Sequence, residues 1–262
     1  MPLELPPPDH TPLTSSPLVQ VIGQLRFEEH VSVSDSQTAR DFHEALGGAA
    51  GDYPTVQNLV GGQTVTVSIS PTGQPVANTK PSEGWRFSSK DSTGWAVALF
   101  PDNVGLETTA YTTWEQFSSR MSDVLDILVR VVNPAFEQRL AVRFIDRIRG
   151  QNVDSPAGWA PFISEQMLGP ILHPGLGPAI RGAQQLLQLD LGNEEYCGLR
   201  HLVLPAETDP SLFDYLLDFD IFREGGRPLD IEGAKEVLDR FNDYGEQLFQ
   251  ASITPALMER LR

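Results

Sequence analysis

Apolar and polar residues alternate along several stretches of the chain, and this period of two predicts β-strands with one buried face. In the first stretch, residues 18–27, the side chains of Val19, Val21, Leu25 and Phe27 share a face. Later stretches with this alternation are 63–70, 139–148, 183–191, 196–204 and 212–223. Residues 84–110 hold three apolar runs separated by turn residues, which predicts a three-stranded antiparallel meander.

Two long segments instead follow the 3.6-residue period of an amphipathic helix. The first begins after Thr113 and ends at Asn133 and Pro134, and the second runs from Asp230 to about Ser252. The apolar stripe of the first consists of Trp114, Phe117, Met121, Val124, Leu125, Leu128 and Val132. The stripe of the second consists of Ala234, Val237, Leu238, Phe241, Gly245, Leu248 and Phe249. Each helix follows a group of strands, so strands and helix can form two packed layers.

Proline and glycine divide the chain into four parts. Residues 1–17 contain six prolines, which predicts an extended arm. Residues 151–182 are rich in glycine and proline around an apolar segment, which predicts a connection with a short helix. We therefore expect an α+β fold of two similar lobes, 18–150 and 183–262, each an antiparallel sheet covered by a long amphipathic helix. The pattern leaves open whether the lobes are a true duplication.

The charge and composition disfavour several classes of function. The chain has 35 acidic residues, 19 lysines and arginines and a net charge of −16, so its field repels nucleic-acid backbones and anionic lipid surfaces. No apolar run reaches the roughly 18 residues of a membrane-spanning helix, and no secretory signal pattern opens the sequence. A lone cysteine, Cys197, excludes an internal disulfide. We expect a cytoplasmic protein that does not bind membranes. Binding of nucleic acid is disfavoured and would require a local basic patch despite the overall charge.

Two rows of charged residues are the candidate binding residues. The basic row lies on the polar face of strand 139–148, and the acidic row lies on the polar face of strand 212–223. The rows consist of Arg139, Arg143 and Arg147 and of Asp214, Asp218 and Asp220. Guanidinium groups spaced in this way suit carboxylates, phosphates or an acidic protein segment.

The two rows have three interpretations. They are solvated sheet faces, they are salt-bridged to each other within the chain, or they meet between two copies of the chain. A contact between copies predicts that Arg143→Glu weakens association and that Asp218→Arg in the same chain restores it.

Catalytic motifs are weak. The five histidines are scattered, and Cys197 has no partner at CxxC spacing. The glycines of 169–182 lack the lysine of a phosphate-binding loop, and residues 91–94 fit a hairpin turn better than a catalytic loop. The acidic row has no calcium-loop pattern around it. We therefore expect no catalytic residue, no metal site and no cofactor.

Three tryptophans fall in one predicted layer between the meander and the first long helix. They are Trp85, Trp95 and Trp114. Side chains in this position either belong to the hydrophobic core or form the wall of a pocket.

Three segments of the chain carry a resemblance to a known family. They are residues 17–27 (PLVQVIGQLRF), 111–117 (YTTWEQF) and 140–148 (LAVRFIDRI). Together they resemble the TIGR04255 family, whose members are sporadically distributed bacterial proteins of similar length, and the resemblance covers essentially the whole chain. The chain departs from the family pattern at Gln20, where an acid is usual, and at Asp146, where asparagine is frequent. The resemblance implies an accessory or mobile-element gene and implies no activity.

The sequence leaves two functions open. The first is a non-catalytic protein-binding or regulatory module, in a mobile or defence-type gene cassette, that binds a protein partner or a second copy of itself. The alternative is a small-molecule sensor or enzyme in which Arg143 and Arg147 hold an anionic ligand in a pocket between sheet and helix. A binding module retains a protein, whereas a sensor or enzyme retains a small molecule or gains thermal stability from one.

Overall fold

The computed structural model describes residues 3–69, 75–90 and 94–262, with side chains for 3–59, 83–90 and 94–262. Nine strands and five α-helices lie in this part of the chain. The strands are β1 (Leu18–Phe27), β2 (Thr55–Ile69), β3 (Pro75–Ser88), β4 (Trp95–Phe100), β5 (Asn103–Thr108), β6 (Phe136–Ile148), β7 (Ala183–Gly192), β8 (Glu195–Pro205) and β9 (Phe213–Pro228). The helices are α1 (Ser36–Ala45), α2 (Trp114–Val131), α3 (Glu165–Leu168), α4 (Ile231–Ser252) and α5 (Pro255–Leu261). The predicted turn at 91–94 falls mostly on residues 91–93, which lie outside the described residues.

The strands hydrogen-bond in the order β2-β3-β4-β5-β1-β6-β9-β8-β7. β2 to β5 are joined by antiparallel pairing, and so are β7, β8 and β9. The α+β class and the antiparallel pairing are therefore confirmed. The described strands share one sheet, whereas the pattern predicts one sheet in each lobe. The alternation of side chains identifies each strand but does not identify its neighbours, which are set by contacts distant in the chain.

Contacts divide the chain into two compact units. Unit 1 consists of residues up to Ile22, Leu140–Glu224 and Gly233–Arg262. Unit 2 consists of Gly23–Arg139 and Gly225–Glu232. Each unit draws on separate parts of the chain, and the four sequence segments described above stay a prediction.

In unit 2, α2 buries the middle of the stripe that its period predicts. The helix begins at a cap in which the backbone N–H of Gln116 donates to Thr113 Oγ1 over 3.2 Å. The buried stripe residues are Phe117, Met121, Val124, Leu125 and Leu128. A Cβ on Gly23 of β1 would lie 3.1 Å from the sulfur of Met121, so glycine permits the close approach of strand and helix.

In unit 1, α4 packs against β6 in a similar way. A Cβ on Gly245 would lie 2.8 Å from the ring of Phe144, so this helix position requires glycine. The other buried stripe residues are Ala234, Val237, Leu238, Phe241 and Leu248, while Phe249 is half-buried. Burial of each large apolar side chain contributes roughly 2 kcal/mol to folding.

The arm and the connection both belong to unit 1 where they are described. Residues 3–13 contain no helix or strand, and the arm is held near α5 because the backbone N–H of Ser15 donates to the carbonyl of Leu261 over 3.0 Å. The connection contains α3 and several short 3-10 turns. Its Trp159 is buried, with its ring 5.6 Å from that of Tyr215 on β9.

Candidate functional site

Strands β6, β9 and β8 of unit 1 bring arginines and aspartates together on one side of the sheet. We name this group the ion-pair face, and it consists of Arg143, Arg147, Arg200, Asp214 and Asp218. Arg143 of β6 pairs with Asp218 of β9, and Arg147 pairs with Asp214. The pairs therefore run in opposite directions along the two strands, as they do between antiparallel neighbours. Arg200 belongs to the same side because it lies directly opposite Asp218 in the β8–β9 register.

Asp218 is the centre of the ion-pair face. Arg143 Nε and Nη2 donate to Asp218 Oδ1 and Oδ2 over 2.6 and 2.7 Å. Arg200 Nε and Nη2 both donate to Asp218 Oδ2, over 3.0 and 2.7 Å. The hydrogen bond to Asp218 raises the pKa of Arg143 against the opposing effect of burial. One carboxylate with a side-chain exposure of 3% thus fixes two guanidinium groups that are 38% and 41% exposed.

Arg147 forms the second part of the ion-pair face. Its Nη1 donates to Glu207 Oε1 and its Nε donates to Asp214 Oδ2, both over 2.8 Å. The hydrogen bond to Glu207, followed by the hydrogen bond to Asp214, raises the pKa of Arg147 against the opposing effect of burial. Asp214 is buried, and its other oxygen accepts the backbone N–H of Gly150 over 3.2 Å. Arg147 therefore lies between one buried and one exposed carboxylate.

The structure sorts the six predicted binding residues into two groups. The four residues Arg143, Arg147, Asp214 and Asp218 form ion pairs within one chain. Arg139 belongs to unit 2, where its Nη1 donates to Gln24 Oε1 over 3.3 Å. Asp220 follows on the same side of β9 as Asp218 and is half-buried. Whether any of the six binds a partner stays a prediction.

Sequence reasoning missed Arg200 and Glu207. Arg200 stands on a strand that the alternation did predict, and its role depends on its position opposite Asp218 in the register of β8 with β9. Glu207 follows β8 in a loop, where alternation gives no information on the direction in which a side chain points.

Apolar side chains flank the ion-pair face. Leu186 of β7 lies directly opposite Arg200 and is 52% exposed. Tyr196, four residues before Arg200 on β8 and thus on the same side, is also exposed, with its ring 5.8 Å from that of Phe222. The three guanidinium groups equal in number the acids that they bond, Asp214, Asp218 and Glu207, and Asp220 adds a further carboxylate on the same side of the sheet.

A cleft of about 240 Å³ opens beside Arg147. Its lining includes Arg149, Gly150, Glu207 and Thr208. Arg149 is exposed and has no ion-pair partner among the described residues. The cleft is thus bordered by a paired and an unpaired arginine.

The opposite side of the unit 1 sheet holds buried polar groups. His201 Nδ1 and Tyr215 Oη lie 2.8 Å apart, and burial lowers the pKa of His201 and raises that of Tyr215. Within the described part of the chain, His201 Nε2 and Trp159 Nε1 have no hydrogen-bond partner. Burial, together with the negative charge of Asp218, raises the pKa of Asp146 to about 8. Burial also raises the pKa of Cys197, so its thiol stays protonated.

A second cleft, of about 550 Å³, lies in unit 2 between α1 and α2. Arg120 at its edge donates to Asp52 over 2.8 Å and lies 4.8 Å from the ring centre of Trp95. The lining does not include Trp85, Trp95 or Trp114. Trp95 is buried and Trp114 half-buried, and both rings pack on Phe117, as in a hydrophobic core.

No group of three or more His, Cys, Asp or Glu side chains within the described ranges is arranged to hold a metal ion. Among the described helices, none is both long and apolar enough to cross a membrane. Compared with known proteins, the chain matches no family model and no curated protein.

Proposed function

We propose that this chain is a non-catalytic, cytoplasmic protein-binding module of regulatory type, and that it binds its partner through the ion-pair face. The observation that carries the proposal is the attachment of Arg143 and Arg200 to the one buried carboxylate of Asp218. The proposal includes the TIGR04255 resemblance, a mobile or defence-type gene context, and two similar lobes in each of which a long helix covers part of the shared sheet.

The guanidinium groups are preorganised for binding. Both arginines use Nε and Nη2 for Asp218, which directs each Nη1 group away from that carboxylate. A partner's carbonyl or carboxylate oxygen can accept from these Nη1 groups. Because the side chains are already fixed, binding loses less conformational entropy than with free arginines.

The surroundings of the ion-pair face have the composition of a protein interface. Arginine and aromatic residues are enriched in interfaces, and lysine is depleted. Tyr196 provides exposed apolar area on the same side of the sheet as Arg200.

The cysteine and the buried histidine of unit 1 have surroundings that favour a structural role over a catalytic one. The Cys197 thiol is buried and protonated, and nucleophilic attack by cysteine requires the thiolate. His201 is buried beside Tyr215, away from the lining of either cleft. A general base must reach a substrate proton within hydrogen-bonding distance.

The test is partner capture with a single substitution on the face. Arg200→Gln leaves Asp218 bonded to Arg143, so the fold is retained, while one presented guanidinium is lost. We expect the immobilised wild-type chain to capture a partner protein at near-integral stoichiometry. The variant should retain at least about tenfold less of that protein, which is the loss expected for an arginine in an interface. Arg130→Gln, an exposed arginine of unit 2, is the matched control and retains it fully. Equal capture by Arg200→Gln and wild type refutes the proposal.

The cleft beside Arg147 supports a second candidate, a sensor of small carboxylate or phosphate anions. An anion can displace the exposed carboxylate of Glu207 from Arg147 Nη1 and gain a second contact from Arg149. In thermal melts with citrate or phosphate, this function predicts a rise in the melting temperature that Arg149→Gln abolishes and Glu207→Gln increases. An unchanged melting temperature with both anions removes this candidate.

A further inference from the structure

We propose that a second copy of this chain pairs antiparallel with the open edge of β7, forming a symmetric dimer. β7 ends the strand order, and within the described residues its backbone pairs with β8 alone. This inference concerns the edge of the sheet and does not depend on what the ion-pair face binds.

β7 lacks the features that keep sheet edges of monomers from pairing. Such edges carry lysine, proline or a bulge, or they are short. β7 has ten residues, and its segment 183–189 (AQQLLQL) contains no charge and no proline. Its one register shift falls at the end of the strand, between Asp190 and Gly192. At the other edge, β2 has a shift within the strand, between Leu59 and Gly62.

Two leucines make the edge apolar on both sides of the sheet. Leu186 and Leu187 are consecutive and point to opposite sides, and both are exposed. A neighbouring strand would remove apolar area from water on both sides, and would also satisfy the open backbone groups.

Charges at the ends of β7 favour antiparallel pairing with a second copy. Arg181, just before the strand, is exposed and has no ion-pair partner among the described residues, and Asp190 near the other end is exposed. Antiparallel pairing brings each Arg181 near the Asp190 of the other copy, whereas parallel pairing brings like charges together. The occupant that this charge complementarity fits is the chain itself.

Symmetry restricts the register. A two-fold axis perpendicular to the sheet keeps each side chain on its own side, so a residue pairs with itself or with one an even number of positions away. With Leu186 on the axis, the two copies of Leu186 meet, and Gly182 lies opposite Asp190. Arg181 is then opposite Leu191 of the other copy and next to its Asp190. Because Arg181 lies at a bend before the strand, the alternation of β7 does not fix the side on which its guanidinium lies.

The experiment measures molar mass by sedimentation equilibrium. We expect the wild-type chain to approach twice its 28.9 kDa by about 0.1 mM. Leu186→Lys places two ammonium groups at the axis and shifts the chain to 28.9 kDa, with the same melting temperature as wild type at low concentration, where both are monomeric. Leu176→Lys is the matched control, because Leu176 is 50% exposed in unit 1 outside the strands, and it stays dimeric. A wild-type chain that remains monomeric, or equal dissociation by both lysines, overturns the inference.

A charge exchange tests the orientation of the pairing. Arg181→Asp and Asp190→Arg each weaken the dimer at least several-fold, and the double substitution restores it. If the double variant is weaker than both single variants, antiparallel pairing is wrong. A failed dimer leaves the Arg200-dependent capture of a partner untouched, so the two proposals fail separately.

Discussion

The two sides of β6 and β9 in unit 1 place buried carboxyl groups in different electrostatic surroundings. On the ion-pair face, Asp218 is nearly inaccessible to solvent and carries two arginines. On the other side, Asp146 is equally buried, and its pKa is raised to about 8 by burial and by the charge of Asp218. The two carboxyl groups differ in their partners, because Asp218 accepts hydrogen bonds from two guanidinium groups, whereas burial without such donors favours the protonated form of Asp146.

The largest expected effect is the pH dependence that Asp146 imposes on stability. Its pKa is 3.8 in the unfolded chain and about 8 in the folded chain, so between these values the folded chain binds more protons. The free energy of unfolding therefore falls as the pH rises through this window and levels off above it. Asp146→Asn cannot ionise, so relative to wild type it gains about 4 kcal/mol between pH 5 and pH 9.

Urea unfolding of both proteins at several pH values measures this gain. Asp146→Asn shares its shape with the protonated acid, so the two curves are expected to be close only at or below pH 3.8, where the unfolded chain also holds the proton, and to separate above it. A difference that is constant with pH would show that the pKa of Asp146 is not raised in the folded chain.

The second effect is the loss of the charge on Asp218. Asp218→Asn leaves Arg143 and Arg200 without their shared counter-charge, and breaking a buried ion pair in this way is costly. Since both guanidinium groups remain partly hydrated, we expect a loss of about 2 kcal/mol, below the range for fully buried pairs. The double variant Asp218→Asn with Arg143→Gln should lose less than the sum of the two single variants in urea unfolding. Additive losses would contradict a direct pair.

The smallest change in the free energy of unfolding is expected at Glu207, which lies at the exposed end of the ion-pair face. Glu207 bonds Arg147 as Asp214 does, but its side chain is 77% exposed. Solvent-exposed ion pairs contribute little, so Glu207→Gln changes the free energy of unfolding by less than about 0.5 kcal/mol. Asp214→Asn in the same experiment should cost clearly more. Equal effects would show that burial does not govern the strength of these pairs.

The sequence predicts the strands of this site well because alternation is a local property. The spacing of Arg143 and Arg147 on one strand and of Asp214 and Asp218 on another is readable from it, and all four lie on one side of the sheet. The alternation also identifies Asp146 as unusual. It lies on the same face of the strand as Leu140, Val142 and Phe144, so it is a polar residue on an apolar face.

The remaining features depend on contacts between distant residues. Arg139 continues the period of the basic row, yet the far end of β6 lies in unit 2 beside Gln24. The role of Arg200 depends on the register of β8 with β9, which alternation does not determine. The strand order and the clefts also arise from packing that no single segment encodes.

The charge balance of the ion-pair face has a kinetic consequence for any partner that docks there. Long-range steering requires an unbalanced field, and the arginines of this face are already neutralised by Asp214, Asp218 and Glu207. Encounter is then governed by diffusion and orientation, with an association rate constant of about 10⁵–10⁶ M⁻¹s⁻¹. Added salt should act on this rate mainly by screening the field of the chain's net charge of −16, and selectivity among partners should appear in how long each complex lasts.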